Sequence, residues 1–142
     1  MDNCLRMLGL AKKAGFLEVG EESVSDSVMF IKARVILSAS DAAQGSVRKA
    51  GYLAEDASIP HITLPYTKAD LGEVVGRGTP GMLSITDIGM AHSFVSKLAQ
   101  EYPNKYADVL QVMDVKLKRA NERKAARKNE VSKTVGKRRT NK

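Results

Sequence analysis

Residues 33–42 read Ala33-Arg34-Val35-Ile36-Leu37-Ser38-Ala39-Ser40-Asp41-Ala42. Three large apolar residues stand in a row between small ones, with no alternation that would leave a polar face. Such a run predicts a short strand covered on both faces, as in a sheet with helices packed above and below it. Ser40 and Asp41 then predict the cap of a helix reaching Ala54, because both residue types accept from the open N–H groups of a first turn. A buried strand that passes at once into a helix is the building unit of layered α/β folds.

The same alternation extends in both directions. Upstream, Leu5, Leu8, Ala11 and Lys12 share a helical face, and Gly15 is placed to end that helix in a left-handed cap. Phe16-Leu17-Glu18-Val19 predicts a short strand, and Gly20 breaks the chain. Glu21 and Glu22 suit the positive end of a second helix, carried to Ile31 by Val24 and Val28. Downstream, the stretch from Pro60 to Pro65 predicts a strand between prolines. Thr67 and Asp70 form a capping-box pair that opens a helix through Val75. Gly76 to Gly81 is a loop, Met82-Leu83-Ser84-Ile85 a strand, and Thr86-Asp87 the cap of a helix to Glu101. Strands alternating with helices predict an α/β class, a three-layer α-β-α sandwich around a parallel or mixed sheet.

The charge is divided unevenly. The 142 residues carry a net charge of +7. Residues 1–102 hold 10 Lys/Arg against 12 Asp/Glu, and residues 103–142 hold 13 against 4. The boundary at Pro103 therefore separates a nearly neutral domain, 1–102, from a basic extension, 103–142. Leu110, Met113, Leu117 and Ala120 repeat at helical spacing within the extension. From Glu130 onward apolar residues almost vanish, which predicts disorder in isolation. A basic extension on a neutral body points to a polyanionic partner, most commonly nucleic acid. Three Phe, four Tyr and no Trp argue against an aromatic platform that stacks single strands.

Other classes find little support. No apolar run approaches the ~20 residues of a membrane helix, and the first residues lack the charged and apolar regions of a secretory signal, so a cytoplasmic protein is expected. One cysteine forms no internal disulfide. Cys4, His61 and His92 have no partners at catalytic or ligand spacing, so neither enzyme activity nor a metal is expected. The glycine loop at 76–81 lacks the Gly-Lys-Ser/Thr ending of a phosphate loop and precedes a strand, which argues against a nucleotide cofactor. Glu21 and Glu22, adjacent on a helix, do not converge on one substrate atom.

Several motifs in order give a resemblance. Leu8-Gly9-Leu10-Ala11-Lys12-Lys13-Ala14-Gly15, then Gly20-Glu21-Glu22, then the stretch from Lys32 to Ala42 are followed by Ile59-Pro60-His61-Ile62, Asp70 to Gly76, and Ser84-Ile85-Thr86-Asp87. Together they resemble the kink-turn RNA-binding ribosomal protein family (the L-seven-Ae family) in its bacterial, YlxQ-like form, over residues 3–100. The resemblance implies a mixed four-stranded sheet and a non-enzymatic role in binding structured RNA, ribosomal RNA included. It implies that RNA meets the start of the second helix, Gly20, Glu21, Glu22 and Ser23, and the loop from Val75 to Gly81, with Arg77 and Gly78. Lys12 and Lys13 are candidates for neighbouring phosphates. The basic extension, which lies outside the resemblance, offers Lys116, Lys118, Arg119, Arg123, Lys124, Arg127 and Lys128 as sources of affinity. Where family members carry Asn, Glu and Lys two, three and six residues after the glycine, this chain has Glu22, Ser23 and Asp26. Asp26 and the non-apolar loop Arg77-Gly78-Thr79-Pro80 leave one alternative function, a protein-interaction or regulatory module on the same fold.

Overall fold

A computed structural model describes residues 2–76 and 78–140, with side chains as far as Lys128. Its elements in chain order are α1 (Asn3–Lys13), β1 (Leu17–Val19), α2 (Glu21–Met29), β2 (Val35–Ser38) and α3 (Gln44–Ala57). They continue as β3 (His61–Thr63), α4 (Lys68–Val75), β4 (Met82–Ile85), α5 (Ile88–Glu101) and α6 (Pro103–Thr140). The strands form one mixed sheet in the order β1-β4-β2-β3. β4 runs antiparallel to β1 and β2, and β2 runs parallel to β3 through the α3 crossover.

All four residues of β2 and all four of β4 are buried, which is the pattern read from Val35-Ile36-Leu37. Alternate residues serve opposite layers. Val35, Leu37, Leu83 and Ile85 join Leu8 of α1, Leu71 of α4, and Phe94 and Leu98 of α5 in the larger core. Ile36 and Met82 face Val24 of α2 with Ala50 and Ala54 of α3. The α-β-α sandwich is therefore built as expected. On the α2 side Ser27 and Ser84 are buried as a pair, their hydroxyls 2.9 Å apart, and Ser27 also donates to the Val24 carbonyl. That arrangement satisfies two polar groups inside an apolar layer.

Local signals set most boundaries. Past α1, Phe16 N–H donates to Ala11 C=O and Gly15 N–H to Lys12 C=O, with Gly15 at φ 81°, a Schellman ending that needs the glycine. Thr67 and Asp70 make the capping box of α4 in both directions. Asp87 caps α5 through Met90 N–H at 2.9 Å.

Three helix boundaries differ from the expectation, the least consequential being the end of α3, which runs on to Ala57 past the expected Ala54. α2 stops at Met29 instead of Ile31, and Ile31 takes φ 58° so that the chain can turn into β2. α3 starts after Ala43, not after Ser40-Asp41. The Asp41 carboxylate instead accepts from Lys68 N–H at 2.7 Å, at the start of α4. Its acceptor faces a helix 27 residues away, and no local pattern encodes that.

The first four turns of α6 are built into the larger core. Tyr106 and Met113 are buried, and the Tyr106 hydroxyl donates to Thr63 C=O at 2.8 Å. Lys116 Nζ donates to Ser58 C=O at 2.8 Å, and His92 of α5 meets Asp114 of α6 at 2.5 Å. Leu110, Leu117 and Ala120 are partly covered on the same face, as their spacing predicts. Where disorder is expected, from Glu130 onward, the backbone instead continues as α6 as far as Thr140.

Candidate nucleic-acid interface

Gly20 precedes α2 at φ 94°, ψ 160°, a backbone region open essentially to glycine alone. Its N–H donates to Met82 C=O at 2.9 Å, which fastens the start of α2 to the start of β4. No side chain caps this helix. The N–H groups of Glu21, Glu22 and Ser23 belong to a first turn that lacks internal acceptors, and they carry the positive end of the helix dipole.

The loop before β4 reaches the same end of the sheet. Gly81 C=O accepts from Ala39 N–H at 3.0 Å, just past the end of β2. Gly78 folds back onto α4, where Gly72 leaves room: a Cβ at Gly72 would run into the Gly78 carbonyl. Gly20 to Ser23 and Gly78 to Gly81 thus flank the first residue of β4, and the two expected parts come together. Arg77 lies outside the described residues.

The two acids of the α2 start have different partners. Glu21 Oε1 lies 2.8 Å from Lys49 Nζ on α3, an ion pair about half exposed on both sides. Glu22 is exposed and makes no ion pair among the described residues. Of the two carboxylates, Glu22 is therefore the one available to accept from an outside donor. Asp26 is exposed one turn further along α2.

Lys12 and Lys13 lie elsewhere. They line an open cleft of ≈ 660 Å³ between α1 and α4, with Arg6, Leu10, Glu73 and Gly76. Gly76 is the root of the loop that leads into β4, whose first residue, Met82, accepts from Gly20 N–H at the α2 start, so this cleft adjoins the candidate interface through that loop. On α6, Lys116, Arg123, Lys124 and Arg127 line one cleft together with Arg34. Lys118 lines a separate depression with His92 and Asp114. Arg119 and Lys128 are exposed.

Three cations escaped the sequence reading: Lys49 beside Glu21, Lys68 beside Gly81, and Arg34 among the α6 cations. Only tertiary packing places them, and no local spacing marked them.

The remaining chemistry-bearing side chains are held in the fold. Burial pushes the Cys4 thiol up, away from the thiolate a nucleophile needs. Burial pushes His61 down, and its Nε2 lies 2.7 Å from Ser38 Oγ. Donor atoms of Asp2, Cys4 and Glu101 lie within 4.8 Å of one another, the spacing of a metal site. The Asp2 carboxylate there already caps α1, accepting from Cys4 N–H. No helix among the described residues is long and apolar enough to cross a membrane.

Residues 2–95 match the family model of the ribosomal protein L7Ae/L30e/S12e/Gadd45 family. A protein of unknown function from Bacillus halodurans is similar in structure, with TM-score 0.63 and 24% identity, covering 68% of this chain and 97% of its own. A Giardia lamblia 15.5kD RNA-binding protein is similar at TM-score 0.54 and 16% identity, covering 68% of this chain and 82% of its own. No curated protein matches the chain in sequence.

Proposed function

The chain belongs to the ribosomal protein L7Ae/L30e/S12e/Gadd45 family, and from that premise we propose that it binds structured RNA of the kinked, ribosomal kind, without enzymatic activity. One observation carries the reading: the uncapped first turn of α2 is fastened by Gly20 to Met82, beside the glycine loop that ends at Gly81. Open N–H groups at a positive helix end donate to phosphate oxygens or base-edge acceptors. Glycine at 20 and 78 lets a ligand's backbone come close, because no Cβ stands in the way. The Glu22 carboxylate accepts from a guanine edge exposed in a non-Watson–Crick pair, a form of recognition that reads RNA shape more than sequence. The basic face of α6 supplies the long-range attraction that the nearly neutral body lacks.

The test compares a kinked RNA with a straight duplex of equal length. Glu22→Ala is expected to lose most of the preference for the kinked form while keeping its salt dependence, since no phosphate-binding cation is removed. Lys12→Gln with Lys13→Gln is expected to lower the log–log salt slope by about 1.4–1.8, at ~0.7–0.9 per lost phosphate contact. The exposed Asp26, an acid where family members carry lysine, favours a second reading, a protein-interaction module. That reading wins if wild type binds neither RNA above the level of the Glu22→Ala chain.

A further inference from the structure

We propose that the chain carries a second RNA-backbone site, a basic cleft at the end of the sheet opposite Gly20, so that one molecule holds two RNA segments at once. The inference rests on the RNA-binding reading above and adds to it a place, a new residue and a consequence. The cleft has a volume of ≈ 220 Å³ and is lined by Arg34, Lys116, Arg123, Lys124 and Arg127 over a floor of Ile59, Ile88 and Ala120. Arg34 immediately precedes β2, Ile59 lies on the approach to β3, and Ile88 is the first residue of α5. The Gly20 site lies at the start of β4, and β4 runs antiparallel to β2. The two sites are thus separated by the length of the strands, roughly 13 Å for four residues before loops are added.

The cleft is built rather than accidental. Arg34 N–H donates to Ile85 C=O at 2.8 Å, which fixes its backbone at the sheet end. Lys116 is anchored on Ser58 C=O. Arg123 and Arg127 direct only their Nε groups to carbonyls one turn back on α6, at 3.3 and 3.5 Å. None of the five cations is in an ion pair among the described residues, and no carboxylate lines the cleft. Like charges gathered over apolar residues repel one another unless an anion joins them. Their layout selects the anion. From Lys116 to Arg127 the cations run along one side of α6 for about 16 Å, at ~1.5 Å of rise per residue. A B-form strand presents a phosphate every ~3.4 Å of axis and an A-form RNA strand presents them more closely still, so this row spans several successive phosphates and fits a polymer backbone better than a single phosphate group.

The full-length chain is titrated with a fluorescent straight RNA duplex at several salt concentrations. Arg34→Gln/Arg123→Gln/Arg127→Gln is expected to keep the wild-type melting temperature and lower the salt slope by about 2.1–2.7. Arg34→Gln alone should lower it by about 0.7–0.9, whereas Lys97→Gln, on α5 and outside the cleft lining, should not. The Arg34 result separates a built cleft from a merely charged tail. Immobilised kinked RNA should retain the labelled duplex through the wild-type protein and lose it with the triple variant. A triple variant with the wild-type slope, or a wild-type protein that never retains the duplex, overturns the cleft. Displacement of the duplex by millimolar inorganic phosphate at constant ionic strength would also overturn it, in favour of a small phosphate ligand. If kinked RNA is still distinguished through Glu22 in that case, the cleft fails alone. If wild type binds neither RNA, both readings fall.

Discussion

Ending the chain at Tyr102 should unfold it, even though every strand and the whole Gly20 site would be retained. The cut removes Tyr106 and Met113, both wholly or almost wholly buried in the core that α1, α4 and α5 share. Losing a buried Met side chain costs about 2–5 kcal/mol, and losing a buried aromatic about 3–5 kcal/mol, because the vacated space relaxes only in part. The Thr63 carbonyl also loses the Tyr106 hydroxyl, worth about 1 kcal/mol. The sum approaches the whole stability of an ordinary domain, about 5–15 kcal/mol. A chain ending at Ala120 keeps these groups, the Lys116 anchor and the His92–Asp114 contact, and should stay within about 0.5 kcal/mol of full length. Urea denaturation followed by far-ultraviolet circular dichroism compares the three chains. If the chain ending at Tyr102 unfolds cooperatively within about 1 kcal/mol of full length, the burial argument is wrong and α6 is only an appendage.

Three further outcomes are expected. Ile31→Gly should raise stability by about 0.5–1 kcal/mol, because the left-handed backbone costs an L-residue more than glycine's extra unfolded-state freedom does, and the exposed side chain loses no burial. An unchanged denaturation midpoint refutes it. Gly72→Ala should destabilise by about 1–3 kcal/mol despite alanine's better helix propensity, since the new methyl meets the Gly78 carbonyl. Calorimetry reads that loss, and a more stable variant would mean that the loop does not pack there. His61 is buried toward its neutral form, so its folded pKa lies below the unfolded 6.5. The stability that depends on its neutral state is present above pH 6.5 and is lost as pH falls through the folded value. A melting-temperature profile from pH 8 to 5 should therefore fall more steeply for wild type than for His61→Gln, and parallel profiles contradict the assignment.

What could be read from the sequence was short-range. The Thr67–Asp70 box, the Gly15 ending and the Asp87 cap are decided within a few residues, and each stands where expected. Val35-Ile36-Leu37 declared its burial because no alternation offered a solvent face. Asp41 shows the limit: its residue type announced a cap, but the helix it serves is α4. Tyr106 sits beside Lys105 at the edge of a charged stretch, and only the Thr63 carbonyl across the fold explains its burial. The same holds for the candidate sites. Gly20 and the loop at Gly78 carried motif signals, whereas Arg34, Lys49 and Lys68 became relevant through packing alone.

The strand order has a consequence for synthesis of the chain. β1 pairs only with β4, and β2 meets β4 on its other side, so the central ladder waits for residues 82–85. At ~5–20 residues per second, the roughly 60 residues between β1 and β4 take about 3–12 s to make. During that interval only the β2-α3-β3 unit has both strands of a pair at hand. The two edges that β4 will later join, on β1 and β2, then face solvent together, open to pairing with another chain. The antiparallel strand that completes the sheet is thus also the step that closes the nascent protein to aggregation.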